Sequence, residues 1–168
     1  MNGKGGLSGE LPDETEFVDS FIYDPMNPVP TVGGNNLTYM PSGQRIQTEV
    51  EKRSDVLIYT SEPLEQDLTV IGYIKCILFA ATDAPDTDWT AKLCVVNPDG
   101  SSYNVCDGLI RARYRNSSEK QEFLPPDQVH EFEIDCWATA MVFKQGCCIR
   151  IQISSSNYPR YDRNLNTG

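Results

Sequence analysis

From residue 55 onward the apolar residues come in strand-length runs separated by turn chemistry, and no i, i+3, i+4, i+7 stripe persists for three turns. The spacing predicts strands at residues 55–60, 68–81, 89–96, 102–106, 109–115, 129–137 and 147–154. Asn97-Pro98-Asp99-Gly100 predicts a reverse turn between two of them, because Pro presets φ and Gly accepts positive φ. Within residues 129–136 the set His130, Phe132, Ile134 and Cys136 alternates with Glu131, Glu133 and Asp135, the period-2 signature of a strand with one core face and one wet face. In the last run Ile149, Ile151 and Ile153 oppose Cys148, Arg150, Gln152 and Ser154. Residues 68–81 are apolar on both faces, which predicts a central strand covered on both sides. Arg111, Arg113 and Arg115 are spaced by two, as are Glu131, Glu133 and Asp135, so neighbouring strands would form an exposed ion ladder from them. Many short strands with one-sided alternation and frequent turns imply an all-β fold of two packed antiparallel sheets.

Residues 1–54 have a different texture. Pro12, Pro25, Pro28, Pro30 and Pro41 and most of the glycines exclude long helices and favour looping, extended chain. Only residues 16–23, EFVDSFIY, are rich enough in β-branched and aromatic residues to predict a strand there. The expected organisation is one β-sandwich module over residues 1–168, with 1–54 as a loop-rich covering segment and 55–168 carrying the main strands.

A length of 168 residues suits one core. The net charge of −10 disfavours attachment to nucleic acid or anionic lipid, which need clustered Lys and Arg, and leaves proteins or small molecules as partners. The longest apolar run is broken by Gly72 and Lys75 and is too short to span a bilayer. The polar, glycine-rich first residues lack the pattern of a secretory signal, so the expected location is the cytoplasm. Six cysteines without C-x-x-C spacing, five of them in or beside apolar runs, read as buried reduced thiols, with a disulfide as the lesser alternative. With His130 as the only histidine, neither a metal site nor a cofactor is expected.

Serine catalysis needs a nucleophile on a strained turn, a histidine within reach and an acid to orient it. No G-x-S-x-G elbow occurs, and His130 falls on the apolar face of a predicted strand, where a packed core histidine is expected. Asp83, Asp86 and Asp88 crowd a loop that leads into Trp89. Such a loop either binds Ca²⁺ or is a turn whose aspartates accept backbone N–H bonds; the turn reading leads because no mid-loop Gly or following bidentate Glu is present. Trp89 is either core or an aromatic face for a ligand or neighbour. The loop at residues 154–164, with Asn157, Tyr158, Arg160, Tyr161, Asp162 and Arg163, is either a docking rim or a self-satisfied loop. Asn36-Leu37-Thr38 and Asn116-Ser117-Ser118 fit the glycosylation sequon, which has no meaning in a cytosolic protein.

Five blocks occur in order: FIYDPMNPVPTVGG, DVLIYTSEPLEQDLTVIGYI, DAPDTDWTAKLCVVNPDG, GLIRARYR and ISSSNYPRYDRNLNTG. Together, and over almost all of residues 21–168, they resemble the C-terminal domain of the cocaine esterase, α-amino-acid ester hydrolase and X-prolyl dipeptidyl aminopeptidase group, the CocE/NonD serine hydrolases. The resemblance implies a jelly-roll sandwich similar to galactose-binding modules, packed on an upstream α/β-hydrolase domain that holds the whole catalytic triad. It implies a non-catalytic support that covers one side of the active-site cleft and joins in subunit contacts. Asp83 to Trp89 and Ser154 to Asn164 are then the candidates for the surface facing the catalytic domain.

Against the family pattern, Gly146 is followed by Cys147 and Cys148 instead of histidine, and the chain is expected to lack the strand that leads into the glycine-rich start and the closing stretch after Asn166-Thr167-Gly168. Missing outer strands would expose sheet edges and favour a homo-oligomer. The rival reading is a stand-alone sandwich that binds a carbohydrate or a protein at its rim.

Overall fold

The computed structural model describes residues 4–10, 18–37 and 41–167. Among the described residues seven strands form two sheets: β1 (Lys4–Leu7), β2 (Leu57–Ser61), β3 (Leu68–Ala80), β4 (Asp88–Val96), β5 (Ser102–Arg111), β6 (His130–Phe143) and β7 (Cys148–Ser154). The larger sheet runs β1-β2-β7-β4-β5, and β3 pairs with β6 in the second. All pairings are antiparallel except β1 with β2. One short helix, α1 (Thr48–Glu51), precedes β2. No helix among the described residues is long and apolar enough to cross a membrane.

The sheets pack face to face, as the alternation demands. Trp89, Ala91, Leu93 and Val95 of β4 and Ile153 of β7 meet Phe132, Ile134, Cys136 and Phe143 of β6 in one buried cluster. On β6 the residues Glu131, Glu133 and Asp135 lie on the exposed side, as the sequence predicts. Asn97 to Gly100 forms the expected β4–β5 turn, with Gly100 at φ +84° and its N–H donating to the Asn97 carbonyl.

Four expectations are corrected. The strands predicted at 102–106 and 109–115 are one strand, β5, which ends at Arg111 and passes into a 3₁₀ turn over Ala112–Tyr114. The three arginines therefore form no outward row, and the ladder does not exist. Arg111, Arg113 and Arg115 pair with Asp88, Asp86 and Glu122, while Glu133 pairs with Lys75 in the other sheet. The strand predicted at 16–23 lies partly outside the described residues, and residues 18–23 form no strand. β3 is not covered on both sides: Ile71, Tyr73, Ile77 and Phe79 are exposed, and the strand buried along its whole length is β4.

β4 is covered because residues 29–37 and 41–56 cross the outer face of the larger sheet. Val29, Val50 and Val56 form a second small apolar cluster there. The crossing segment is fixed by backbone bonds between Thr31 and Tyr158 and between Gln47 and Ser102, and by the Val29 N–H donating to Ser156 Oγ at 2.8 Å.

All six cysteines are free thiols. Burial pushes the thiols of Cys94 and Cys136 up from 9.0 to about 12 and that of Cys106 to about 11. Above pH 9 the unfolded chain loses these protons and the native state keeps them, so their stabilisation is complete below pH 9 and declines as pH rises toward 11 to 12. Each such group contributes a slope of up to about 1.4 kcal/mol per pH unit. Lys92 acts in the opposite direction, because burial lowers its pKa and favours the neutral amine, but it is one group against three. Urea midpoints are thus expected to fall steadily between pH 9 and pH 10.5; flat or rising midpoints would disprove the account.

Candidate functional site

The two loops singled out in the sequence meet at one end of the sandwich. Asn164, which is buried, donates from Nδ2 to Asp86 Oδ2 at 2.8 Å and to Asp88 Oδ1 at 2.9 Å, tying residues 154–164 to the acidic loop. Asp88 also receives a two-point bond from Arg111, Nε to Oδ1 at 2.8 Å and Nη2 to Oδ2 at 3.0 Å. Asp86 accepts the Arg113 N–H at 2.9 Å. The Tyr23 hydroxyl donates to the Asn164 carbonyl at 2.9 Å, and burial, then the nearby Asp88 charge, raises its pKa.

Asp86 and Asp88 are fully enclosed, and only Asp83 reaches solvent. Their counter-charge is guanidinium, and among the described residues no three metal-ligating side chains converge. The bonds to Arg113 N–H and Asn164 are those of a loop that closes on itself. Trp89 is core, edge-on to Phe21 at 6.1 Å and tilted on Phe132 at 6.1 Å.

In the second loop Asn157 and Arg160 both turn inward to Asp107 of β5. Asn157 Nδ2 reaches Oδ2 at 2.8 Å, and Arg160 Nη1 reaches Oδ1 at 2.6 Å. Arg160 Nη2 continues to Asn35 Oδ1, and its guanidinium lies over the Tyr161 ring. Arg163 donates to the Pro25 carbonyl, and Arg111 to that of Asp162. Of these residues Tyr158, Asp162 and Arg163 are exposed, and with Asp83 they form the outward rim.

Beneath the loops lies a buried polar layer that sequence reading missed. Lys92 Nζ donates to Gln47 Oε1 at 2.9 Å, and Gln47 Nε2 reaches the Val32 and Arg45 carbonyls. Glu51 on α1 accepts from Ser102, Gln152 and Arg150. The only sequence signal was a lysine inside the apolar run WTAKLCVV. The cavity beside Lys92, Asp107 and Asn157 is about 10 Å³, room for one water and no substrate.

His130 is half-buried, edge-on to Phe132 at 6.4 Å, and its Nε2 has no hydrogen-bond partner. No serine hydroxyl among the described residues is bonded to it.

The X-Pro dipeptidyl-peptidase C-terminal non-catalytic domain family matches residues 2–168. The chain belongs to that family. It is 42% identical over 167 residues to the cocaine esterase of Rhodococcus sp. (strain MB1 Bresler), covering 99% of this chain and 29% of that protein. A crystal structure of an aminopeptidase from a marine sediment Thaumarchaeota archaeon superposes with a TM-score of 0.88 at 31% identity, covering 98% of this chain and 30% of that one. An α-amino-acid ester hydrolase gives 0.80 at 26% identity, with 98% and 29% covered. The chain thus spans under a third of the length of these relatives, and in them the C-terminal domain is one part of a larger hydrolase. It is the non-catalytic C-terminal domain type of the CocE/NonD hydrolases.

Proposed function

We propose that this domain serves a CocE/NonD-type serine hydrolase from outside the chemistry, by walling one side of the active-site cleft and holding the catalytic domain in its working assembly. The observation that carries the reading is the match along residues 2–168 to a non-catalytic domain that makes up 29% of an esterase. The locked pair of rim loops supports it. With Asn164, Arg111 and Arg160 bonded inward, Asp83, Tyr158, Asp162 and Arg163 are presented on a stiff edge suited to shaping a cleft. The reading rests on a partner α/β-hydrolase domain that supplies nucleophile, base and acid. The edges of β3 and β6, unpaired among the described residues, support self-association as a second role, and the six free thiols support a cytoplasmic setting.

Purified chain is expected to hydrolyse no aryl ester, β-lactam-type amide or X-Pro anilide above buffer. Grafted in place of the matched 29% of the Rhodococcus esterase, it is expected to restore ester hydrolysis that the truncated enzyme lacks. Turnover by the chain alone that survives purification and is abolished by a serine-directed reagent would overturn the reading, as would a graft as inactive as the truncated enzyme.

A further inference from the structure

The outer face of the β3–β6 sheet belongs to neither the rim loops nor the polar layer. Ile71, Tyr73, Ile77 and Phe79 on β3 are 78%, 81%, 48% and 66% exposed, and Trp137 on β6 is 58% exposed. The inward side of the same strands, Val70, Ile74 and Leu78 with Phe132 and Ile134, is already the core. Three aromatic and two aliphatic side chains on one sheet face expose on the order of 400 Å² of apolar surface, the size of the largest patch on a soluble monomer, which is often functional.

The backbone is shaped to present it. Register shifts between Tyr73 and Lys75, where Tyr73 pairs with Ala138 and Lys75 with Asp135, so β6 carries one extra residue there. At that bulge Trp137 adopts φ +67°, a conformation that favours glycine, and the Asp135 carboxylate holds it by accepting the Trp137 N–H at 2.8 Å. The bulge places Trp137 and Ala138 both on the outside, whereas a regular strand would turn one of them inward.

Around the aromatic residues the charge has one dominant sign. Glu131, Glu133 and Asp135 project from this side, and Lys75, paired with Glu133, is the single cation in register among them. A second copy would bring the same carboxylates from a chain of net charge −10, and like charges facing each other oppose that contact. A polysaccharide would meet Ile71 and Ile77 beside the rings, and the polar pair among them, Lys75 and Glu133, is already bonded to itself. A protein surface of apolar side chains edged by Lys or Arg satisfies both the aromatic patch and the acidic rim.

We propose that this face is the surface on which the α/β-hydrolase domain of the same polypeptide docks, through an apolar patch edged with basic residues. The inference rests on the functional reading above and adds which face makes the contact. Oxidation of Tyr73, Phe79 and Trp137 by hydroxyl radicals, read by mass spectrometry, tests it in the free chain and in the graft with the Rhodococcus esterase. In an active graft the three residues are expected to oxidise about fivefold more slowly or less, as buried interface residues do. Ile71→Glu is expected to leave the unfolding midpoint of the free chain unchanged and to split the single unfolding transition of the graft into two. Trp137→Gly, which suits the positive φ, is expected to do the same to the graft while holding or raising the free chain's midpoint. An active graft whose three residues oxidise as fast as in the free chain overturns the docking face and leaves the functional reading standing. An inactive graft overturns both. Protection in the free chain that disappears on dilution identifies a second copy as the occupant, and slower oxidation on adding a soluble polysaccharide identifies a glycan; either overturns the proposal.

Discussion

Gly108→Ala is expected to destabilise the domain by more than about 3 kcal/mol, enough to unfold a marginal protein. Gly108 lies in β5 opposite Ala91, where the larger sheet leans onto β6. A methyl group there would sit 2.0 Å from the Asp135 carbonyl oxygen and 2.7 Å from its carbon, well inside van der Waals contact. These are backbone atoms, so no side chain can rotate away. Nor can β6 retreat, because Phe132, Ile134 and Cys136 are 1%, 0% and 2% exposed and already close-packed. Gly6→Ala is the control, since nothing lies within 4 Å of a Cβ at that position. Urea unfolding of the two variants side by side decides the matter: equal midpoints would mean that the sheets separate freely at Gly108 and that the close approach carries no energy.

The same glycine explains where sequence reading failed. Asp107-Gly108 between two apolar runs has the look of a turn, because that dipeptide accepts positive φ, so β5 reads as two strands. In the folded chain the glycine is there for proximity to β6, and Asp107 is held by Asn157 and Arg160, some fifty residues further along. Contacts of that separation leave no local trace. Local signals were reliable where the cause is local: the turn at Asn97 to Gly100, the alternation from Phe132 to Cys136, and the order of the strands from β2 to β7.

β3 shows a different limit. Apolarity on both faces of a strand does not say what, if anything, covers each of them. Reading it as a central strand assumed that the same chain does the covering, whereas its outer face is open and β4, with a lysine in it, is the enclosed strand. The candidate loops were visible as unusual composition, and their juxtaposition through Asn164 was not, since 76 residues separate it from Asp88.

Glu51→Ala is expected to cost about 3 kcal/mol, although the residue sits on a helix of only four residues. Its carboxylate, 9% exposed, accepts from Ser102 Oγ at 2.6 Å, Gln152 Nε2 at 2.8 Å and Arg150 Nη1 at 2.7 Å, and so joins α1 to both β5 and β7. Truncation takes the carboxylate away from three donors: Ser102 Oγ, Gln152 Nε2, which keeps only the Cys94 sulfur at 3.3 Å, and a guanidinium that is only 19% exposed and keeps just Thr60 Oγ1. An uncompensated, partly buried charge is the costly outcome, more than loss of the pair itself. Glu51→Ala with Arg150→Met is therefore expected to recover part of the loss, and the double-mutant cycle to show coupling above about 1 kcal/mol. Because the pair is shielded from solvent, the loss in the single variant should persist at high salt, where an exposed pair would be screened. The damage is expected to be local first: hydrogen exchange should speed up at the N–H groups of Val29, Thr31 and Gln47, which fix the covering segment to the sheet, before the core strands open. If exchange there is unchanged and the two substitutions add without coupling, Glu51 does not anchor the covering segment, and the polar layer is held by Lys92 and Asp107 alone.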